Sequence, residues 1–142
     1  MKVPSKTIFF TIEKTIKSYR KFSKNNFLKV VDDITVDQKL ILQYLNDYPE
    51  LSQKEIAELV FKDNASLTRM IDSMVNKKIL KRSMHEDDRR RYKINITSKG
   101  KDILDKLAPV IIDNRKKALA NVSEQELDQL EKTLNKILAN LK

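Results

Sequence analysis

Glycine is almost missing from this chain, and its scarcity limits both the fold and the chemistry. Gly100 is the single glycine among 142 residues, and there are three prolines. All-β folds with many turns use glycine and proline at those turns, so the composition favours helices. Phosphate-binding loops need two or three glycines close together. We therefore expect a helix-rich protein without a glycine-rich nucleotide site.

Cysteine is absent, and histidine occurs once, as His85. These counts exclude disulfides, cysteine nucleophiles and thiol redox sensors, and they leave too few ligands for a zinc site. Acidic residues are scattered over the expected helix surfaces, and no nucleophile has a base at a suggestive spacing. We expect no metal, no cofactor and no enzymatic activity.

Apolar runs are short along the whole sequence. None approaches the roughly 18 residues that a membrane helix needs. The first five residues also lack the apolar segment of a signal peptide. We therefore expect a cytoplasmic protein with no membrane partner.

The net charge of +9 is concentrated in two blocks. Residues 1–31 carry eight Lys or Arg against one Glu, and residues 76–101 carry ten basic against three acidic residues. The segment between them is acidic, and residues 102–142 are balanced. Blocked basic charge is typical of proteins that bind phosphates or acidic surfaces. A cationic face kept for solubility is the alternative interpretation.

Capping signals and apolar spacing predict six helices. Capping boxes are expected at Thr35, Ser52 and Ser123, each followed three residues later by Gln or Glu. A fourth helix has Asp63 or Asn64 as its cap, and a fifth has Thr97 or Ser98. Apolar residues at helical spacing place the helices at 5–24, 36–47, 53–60, 64–77, 98–120 (with a bend expected at Pro109) and 124–141.

Two short segments alternate with a period of two instead. Residues alternate over Leu80–Met84 and again over Tyr92–Ile96, where Tyr92, Ile94 and Ile96 would point one way and the polar residues the other. This pattern predicts a pair of strands. The loop that joins them is short and highly charged, and it contains His85, which we expect to be solvated. The predicted fold class is therefore mostly α with one small β-hairpin.

The helices at 53–60 and 64–77 are separated by residues 61–63 only. So short a turn, with Phe61 packed beneath it, predicts a helix-turn-helix. The second helix presents small polar residues opposite its apolar stripe, as a helix that enters the DNA major groove does. The candidate DNA contacts on it are Asn64, Ser66, Thr68 and Arg69. An ordinary solvated helix face is the alternative.

The hairpin loop carries consecutive arginines at residues 89–91, next to Asp87 and Asp88. An arginine at a hairpin tip can enter a narrow minor groove, where the negative potential is enhanced. A carboxylate beside it can set its direction through a bidentate bond. We predict a basic wing at residues 85–91, with Asp88, Arg89 and Arg90 as its functional residues. Local charge balance on an exposed turn is the alternative.

Taken together, these segments resemble the MarR family of winged helix-turn-helix transcriptional regulators. Residues 88–100 match its signature of Asp-x-Arg, five residues, a Leu-like residue, Thr, two residues and Gly, with Ile96 where Leu is usual. Residues 51–57 resemble the family's third helix, and residues 67–72 resemble its recognition helix. The resemblance implies that Arg90 is the minor-groove arginine and that Asp88 orients it.

The resemblance also implies a homodimer. In this arrangement residues 35–97 form the winged-helix DNA-binding region of a single chain, 1–142, and residues 1–31 and 101–142 form dimerisation helices. The long apolar stripes of the terminal helices agree, because such stripes must bury against something. Packing back within one monomer is the alternative. The candidate dimer residues are Ile8, Ile12, Leu130, Leu134, Ile137 and Leu141.

We therefore expect a sequence-specific transcriptional regulator, most simply a homodimeric repressor. Its two recognition helices would lie about 34–36 Å apart on a pseudo-palindromic operator in double-stranded DNA. The alternative is a winged-helix protein-interaction module, against which the basic faces argue.

Relatives often respond to small phenolic or aromatic carboxylate ligands in a cleft beside the dimer helices. Candidates to line such a cleft are Tyr19, Phe22, Tyr44 and Tyr48, although ordinary core packing also explains them.

One position departs from the family pattern. Members usually carry Gly after the recognition helix, where this chain has Lys78. Glycine is favoured there because the end of a helix often needs a positive φ. That conformation would cost a lysine roughly 1 kcal/mol. We therefore expect either a different turn or a cap at Asn76.

Overall fold

The computed structural model describes residues 7–84, 87 and 92–142. Along them the elements are α1 (Ile8–Phe27), α2 (Val36–Asp47), α3 (Gln53–Leu59), α4 (Asn64–Asn76), β1 (Leu80–Met84), β2 (Tyr92–Ile96), α5 (Ser98–Ala118) and α6 (Glu124–Asn140). The expected fold class, mostly α with a small hairpin, is confirmed. Helix α1 begins and ends three residues later than expected, and the other boundaries agree within two residues.

Side-chain caps set the starts of the helices. Thr35, Ser52 and Ser123 each form the predicted capping box, with hydrogen bonds in both directions between the cap and the third helical residue. Asp63 caps α4, and Thr97 caps α5. Caps of this kind satisfy backbone donors that a helix start otherwise leaves open. The local sequence therefore determines where these helices begin.

The core lies between α2, α3, α4, the hairpin and the first half of α5. Its completely buried apolar side chains include Ile41, Leu42, Ile56, Leu67, Ile71, Met74 and Leu107. The antiparallel hairpin pairs Leu80 with Ile96 and Met84 with Tyr92. Helix α1 packs on α5, where Asn26 donates a 2.8 Å hydrogen bond to the buried side chain of Asn114. In the described ranges, no helix is both long and apolar enough to cross a membrane.

The turn between α3 and α4 differs from the expectation at Phe61. We expected this side chain to pack beneath the turn, but it is 92% exposed. Phe61 has a φ of 58°, and the backbone N–H of Lys62 donates to the carbonyl of Ala57 at 2.9 Å. This bond closes the end of α3 as a Schellman motif. Backbone hydrogen bonds therefore produce the sharp turn, and the left-handed residue points its side chain into solvent.

The turn after α4 corrects the expectation at Lys78. This lysine has a φ of 63° and keeps the left-handed conformation for which glycine is favoured. Its N–H donates to the carbonyl of Val75 at 2.9 Å, and that of Ile79 donates to Met74 at 3.0 Å. These two bonds form a second Schellman motif. The turn is therefore unchanged and Asn76 does not cap the helix, because Lys77 is the C-cap.

Candidate nucleic-acid interface and adjoining cavity

The start of α4 presents the four residues predicted to contact DNA. Asn64 and Arg69 are exposed, and Ser66 and Thr68 are half-buried. The Asp63 carboxylate accepts a 2.7 Å hydrogen bond from the N–H of Ser66, and this bond lowers the pKa of Asp63. The first turn of α4 is therefore held by an ionised cap, and the side chains that follow it occupy defined positions.

Hydrogen bonds connect these side chains to one another and to α3. Thr68 Oγ1 accepts from Gln53 Nε2 at 2.6 Å and donates to the carbonyl of Asn64 at 2.8 Å. Arg69 Nη2 donates to Ser66 Oγ at 3.2 Å. Gln53 was missed from the sequence, where its position in the first turn of α3 had no assigned role. The network orients Arg69 before any ligand arrives.

A groove beside α4 extends this polar face toward the start of α2. Its volume is about 390 Å³, and its lining includes Lys62, Ser66, Arg69, Met70 and Ser73. Lys62 lies in the helix-turn-helix turn, with its Nζ 3.6 Å from Asp37 Oδ2. Two cations thus border the groove on the side of the predicted DNA contacts.

Ion pairs attach the hairpin to α4 and to the segment before α3. Arg82 Nη1 on β1 lies 2.6 Å from Asp72 Oδ1 on α4, and Lys93 Nζ on β2 lies 3.0 Å from Glu50 Oε1. The predicted wing residues Asp88, Arg89 and Arg90 lie outside the described residues, as does His85. The structure describes the stem that carries the loop, and the Arg82–Asp72 ion pair ties this stem to α4.

The terminal helices leave apolar side chains uncovered. None of the residues of α6 is buried. Ile8 is 60% exposed, Leu130 54% and Leu141 70%, while Ile12, Leu134 and Ile137 are half-buried. Further exposed apolar side chains on α1, on α5 and after α5 are Phe9, Ile16, Ile112 and Leu119. Terminal helices that leave so many large apolar side chains exposed favour burial of those side chains against a partner.

A cavity of about 170 Å³ lies where α1, α2 and α5 meet. It is lined by Ile16, Tyr19, Arg20, Ser23, Phe27, Val36, Lys39, Leu40, Ile111 and Arg115. Three of these side chains are cationic. The Lys39 side chain is buried, with the residue only 8% exposed, and its Nζ lies 5.3 Å from the centre of the Phe27 ring. Burial, and then the charges of Arg115 and Arg20, lower the pKa of Lys39 to about 8.

Lys39 has no ion-pair partner in the part of the chain that the structure describes. A buried ammonium group without a carboxylate is costly, and it favours the entry of an anion. The sequence held a signal for this site that we did not use. Lys39 comes three residues before Leu42, among the buried residues of α2, where Gln38 is the other polar residue.

The four aromatic residues predicted to line a ligand cleft are only partly brought together. Tyr19 lines the cavity beside Lys39 and also a neighbouring cavity of about 540 Å³, which it shares with Phe22. Tyr44 is half-buried against the core, and Tyr48 is 62% exposed at the end of α2. Neither Tyr44 nor Tyr48 lines either of these two cavities.

Comparison with known proteins identifies the winged-helix region. Residues 34–92 match the model of the MarR family. The winged-helix region of this chain is a MarR-family domain. The match takes in α2, the helix-turn-helix and β1, and it ends at Tyr92, the first residue of β2.

Solved structures of MarR-family proteins resemble the chain from end to end. The MepR–DNA complex of S. aureus has a TM-score of 0.86 at 20% identity, covering 99% of this chain and 100% of that one. A mutant of MarR from E. coli complexed with operator DNA has a TM-score of 0.83 at 22% identity, covering 92% and 93%. The PcaV regulator of Streptomyces coelicolor, in complex with its natural ligand, has a TM-score of 0.82 at 18% identity, covering 100% and 99%. The MarR fold thus includes the terminal helices.

Proposed function

We propose that this MarR-family chain is a homodimeric repressor that binds a pseudo-palindromic operator. The observation that carries the proposal is the pre-oriented polar face at the start of α4. There Gln53 holds Thr68, and Ser66 holds Arg69. Side chains fixed before binding lose less conformational entropy when they dock. The DNA complexes of the S. aureus and E. coli relatives support the proposal.

The polar residues of α4 serve as the contacts to the major groove. Arg69 can bond guanine through two donors, and Asn64 can bond adenine through its amide. Ser66 and Thr68 offer hydroxyl oxygens to phosphates or base edges. The wing, with Arg89, Arg90 and Asp88, is proposed to reach the adjacent minor groove. The Arg82–Asp72 ion pair supports this role, because it ties the hairpin stem to α4.

Dimerisation follows from the terminal helices, residues 1–31 and 101–142. Their uncovered apolar side chains, among them Ile8, Leu130 and Leu141, are proposed to bury against a second copy of the chain. A dimer with twofold symmetry presents the same surface from both subunits. Two copies of α4 are then held at one helical turn of DNA, which explains a pseudo-palindromic operator.

Release from DNA is proposed to follow the binding of a small molecule with an aromatic or phenolic body. Tyr19 supports this, because it lines both cavities between α1 and α5. Apolar walls with a few polar groups are typical of small-molecule sites. The cations around the smaller cavity favour an acidic ligand.

Fluorescence anisotropy tests the proposal. The chain is titrated against labelled DNA from upstream of its own gene and against random DNA, each at two salt concentrations. We expect tight, salt-sensitive binding with a clear preference for the upstream fragment, since phosphate contacts make affinity fall steeply with salt. Absence of binding even at low salt would overturn the proposal and favour a protein-interaction module.

Two variants then separate base contacts from phosphate contacts. Arg69→Ala is expected to reduce the preference for operator over random DNA, by roughly 1–3 kcal/mol if the arginine bonds guanine. Arg90→Ala is expected to weaken binding to both. Lys106→Ala, an exposed lysine of α5, is the matched control. Equal losses on both DNAs for Arg69→Ala would show that this residue contacts phosphate only.

A further inference from the structure

Phe61 is the most exposed large apolar residue in the part of the chain that the structure describes. It is 92% exposed, and its φ of 58° lies in the left-handed region, where glycine is favoured. The conformation strains a residue with a Cβ, and the ring gains almost nothing from burial in return. Glycine or asparagine would fit this turn with less strain. Strain that no packing offsets points to a role outside the fold of the single chain.

Hydrogen bonds hold the backbone on both sides of Phe61. Its own N–H donates to the carbonyl of Glu58 at 3.3 Å, and the N–H of Lys62 donates to that of Ala57 at 2.9 Å. Two residues further on, the Asp63 side chain caps α4. The place of Phe61 is therefore fixed relative to α4, and the ring itself has only two side-chain torsions. Such a ring loses little conformational entropy when it is covered.

The residues next to Phe61 along the chain belong to the polar face of α4. Lys62 follows it directly, with a side chain that is 41% exposed. Lys62 also borders the groove that is lined by Ser66 and Arg69. An apolar ring beside exposed cations suits a surface on which apolar and anionic groups alternate. The backbone of DNA is such a surface, because an apolar deoxyribose lies between each pair of phosphates.

The position of the turn in a winged-helix complex gives the ring access to that backbone. When the start of α4 enters the major groove, the turn before it lies at the edge of the groove, beside the sugars and phosphates. Contacts to phosphate and sugar fix the register of a protein on the duplex without reading its sequence. A lysine can supply the phosphate contact at this edge, and a phenyl ring can cover the sugar.

We propose that the Phe61 ring packs on a deoxyribose at the edge of the major groove, while Lys62 meets an adjoining phosphate. The pair acts as a positioning device that sets how deeply α4 enters the groove. The proposal rests on the proposed function and adds an apolar, sequence-independent contact to it. The strain at Phe61 is then the cost in folding stability of keeping an aromatic ring at this point.

Two substitutions at Phe61 test the contact in the full chain. Phe61→Gly and Phe61→Asn remove the ring and suit the left-handed backbone, so urea unfolding should show both variants to be at least as stable as the parent. Fluorescence anisotropy should show the Kd for upstream and for random DNA raised alike, by about tenfold, the scale of burying much of one apolar side chain. Phe61→Leu keeps an apolar side chain and should recover part of the loss. Weaker binding by a more stable protein is not a folding defect.

The dependence of Kd on salt separates the ring from its neighbour. An apolar contact releases no counterions, so Phe61→Gly should leave the slope of log Kd against log salt unchanged. Lys62→Met removes a proposed phosphate contact and should reduce that slope by about one. Asn121→Gly is the matched control for the backbone, because Asn121 is an exposed, uncharged residue with a φ of 64° in the turn between α5 and α6. It should bind both DNAs as the parent does.

The outcomes distinguish this proposal from the proposed function. If the parent prefers its upstream DNA and Phe61→Gly binds as tightly as the parent, the ring does not contact DNA, while the repressor stands. A loss on the upstream fragment alone would overturn the sugar contact in favour of a base contact. A smaller salt slope for Phe61→Gly would also contradict an apolar contact. If the parent binds neither DNA even at low salt, the proposed function fails, and the contact fails with it.

Discussion

Gly100 shows how one residue can determine the packing of two elements. A Cβ at this position would lie 2.5 Å from the carbonyl oxygen of Ile79 and 2.7 Å from Ile96 Cγ2. The N–H of Gly100 donates to Thr97 Oγ1, and the Thr97 hydroxyl lies 2.6 Å from the Lys78 carbonyl oxygen. The start of α5 therefore rests directly on the turn that ends α4. The single glycine of the chain is required by close approach and not by its backbone conformation.

Gly100→Ala should therefore destabilise the protein. The added methyl group must push α5 away from the turn, and such overpacking typically costs about 1–3 kcal/mol. Urea unfolding followed by circular dichroism measures the loss. Lys101→Ala, at the exposed neighbouring position, is the control. Equal stability of Gly100→Ala and the parent would mean that the backbone absorbs the methyl group without strain.

The helices begin where the local sequence predicts, because a capping residue and the backbone groups that it bonds lie within four residues of each other. Ser52 and its partner Glu55 are one example, and Asp63 with Ser66 is another. The exposure of Phe61 was not predictable in the same way, since its side-chain direction depends on the hydrogen bonds that close α3. The cavity around Lys39 could not be predicted from the local sequence either. It requires α1, α2 and α5 to meet, and these helices are separated along the chain.

Lys39 provides a pH test of that three-helix junction. Its pKa of about 8 lies below the ordinary 10.5, so the folded state disfavours the charged form. Below pH 8 both folded and unfolded chains are protonated, and the penalty is fully present. Between pH 8 and 10.5 the folded chain binds fewer protons, so its stability should rise with pH. The groups facing Lys39 in the cavity are Arg20 and Tyr19 of α1 and Arg115 of α5.

Lys39→Met removes the penalty and should stabilise the fold at pH 7. We expect a gain of roughly 1–2 kcal/mol after allowance for solvent screening. The difference in unfolding free energy between the variant and the parent should shrink as the pH rises from 8 toward 10.5. Urea unfolding at several pH values measures this difference. Lys54→Met, at an exposed position of α3, is the control. A parent and a Lys39→Met variant with the same stability at every pH would contradict the buried-cation assignment.

At the scale of the whole molecule, α6 is a helix with no buried residue of its own. Most helices of this length are stable because an amphipathic face packs on something, and short isolated helices are marginal in water. The apolar stripe was evident from the sequence alone. None of the residues that the structure describes covers this stripe, and neither the sequence nor the fold of one chain specifies the orientation of a partner.

Leu134→Glu should break the proposed dimer. A charge placed in the middle of an apolar interface cannot be paired there. The chain should therefore sediment near 16.6 kDa rather than about twice that mass. The affinity for operator DNA should fall as the dimer is lost. Circular dichroism should show that the winged-helix core remains folded. Asn135→Glu adds the same charge at the adjacent exposed position and should stay dimeric. A dimeric Leu134→Glu variant would place the interface elsewhere.

The uncovered stripe of α6 also affects how operator occupancy responds to the number of chains in a cell. If each subunit is competent for the operator only after pairing, the active species forms in proportion to the square of the free chain concentration wherever monomers predominate. Halving the number of chains then reduces the active species about fourfold. A promoter controlled by this protein would therefore switch over a narrower range of gene dosage than it would under a repressor that binds as a monomer.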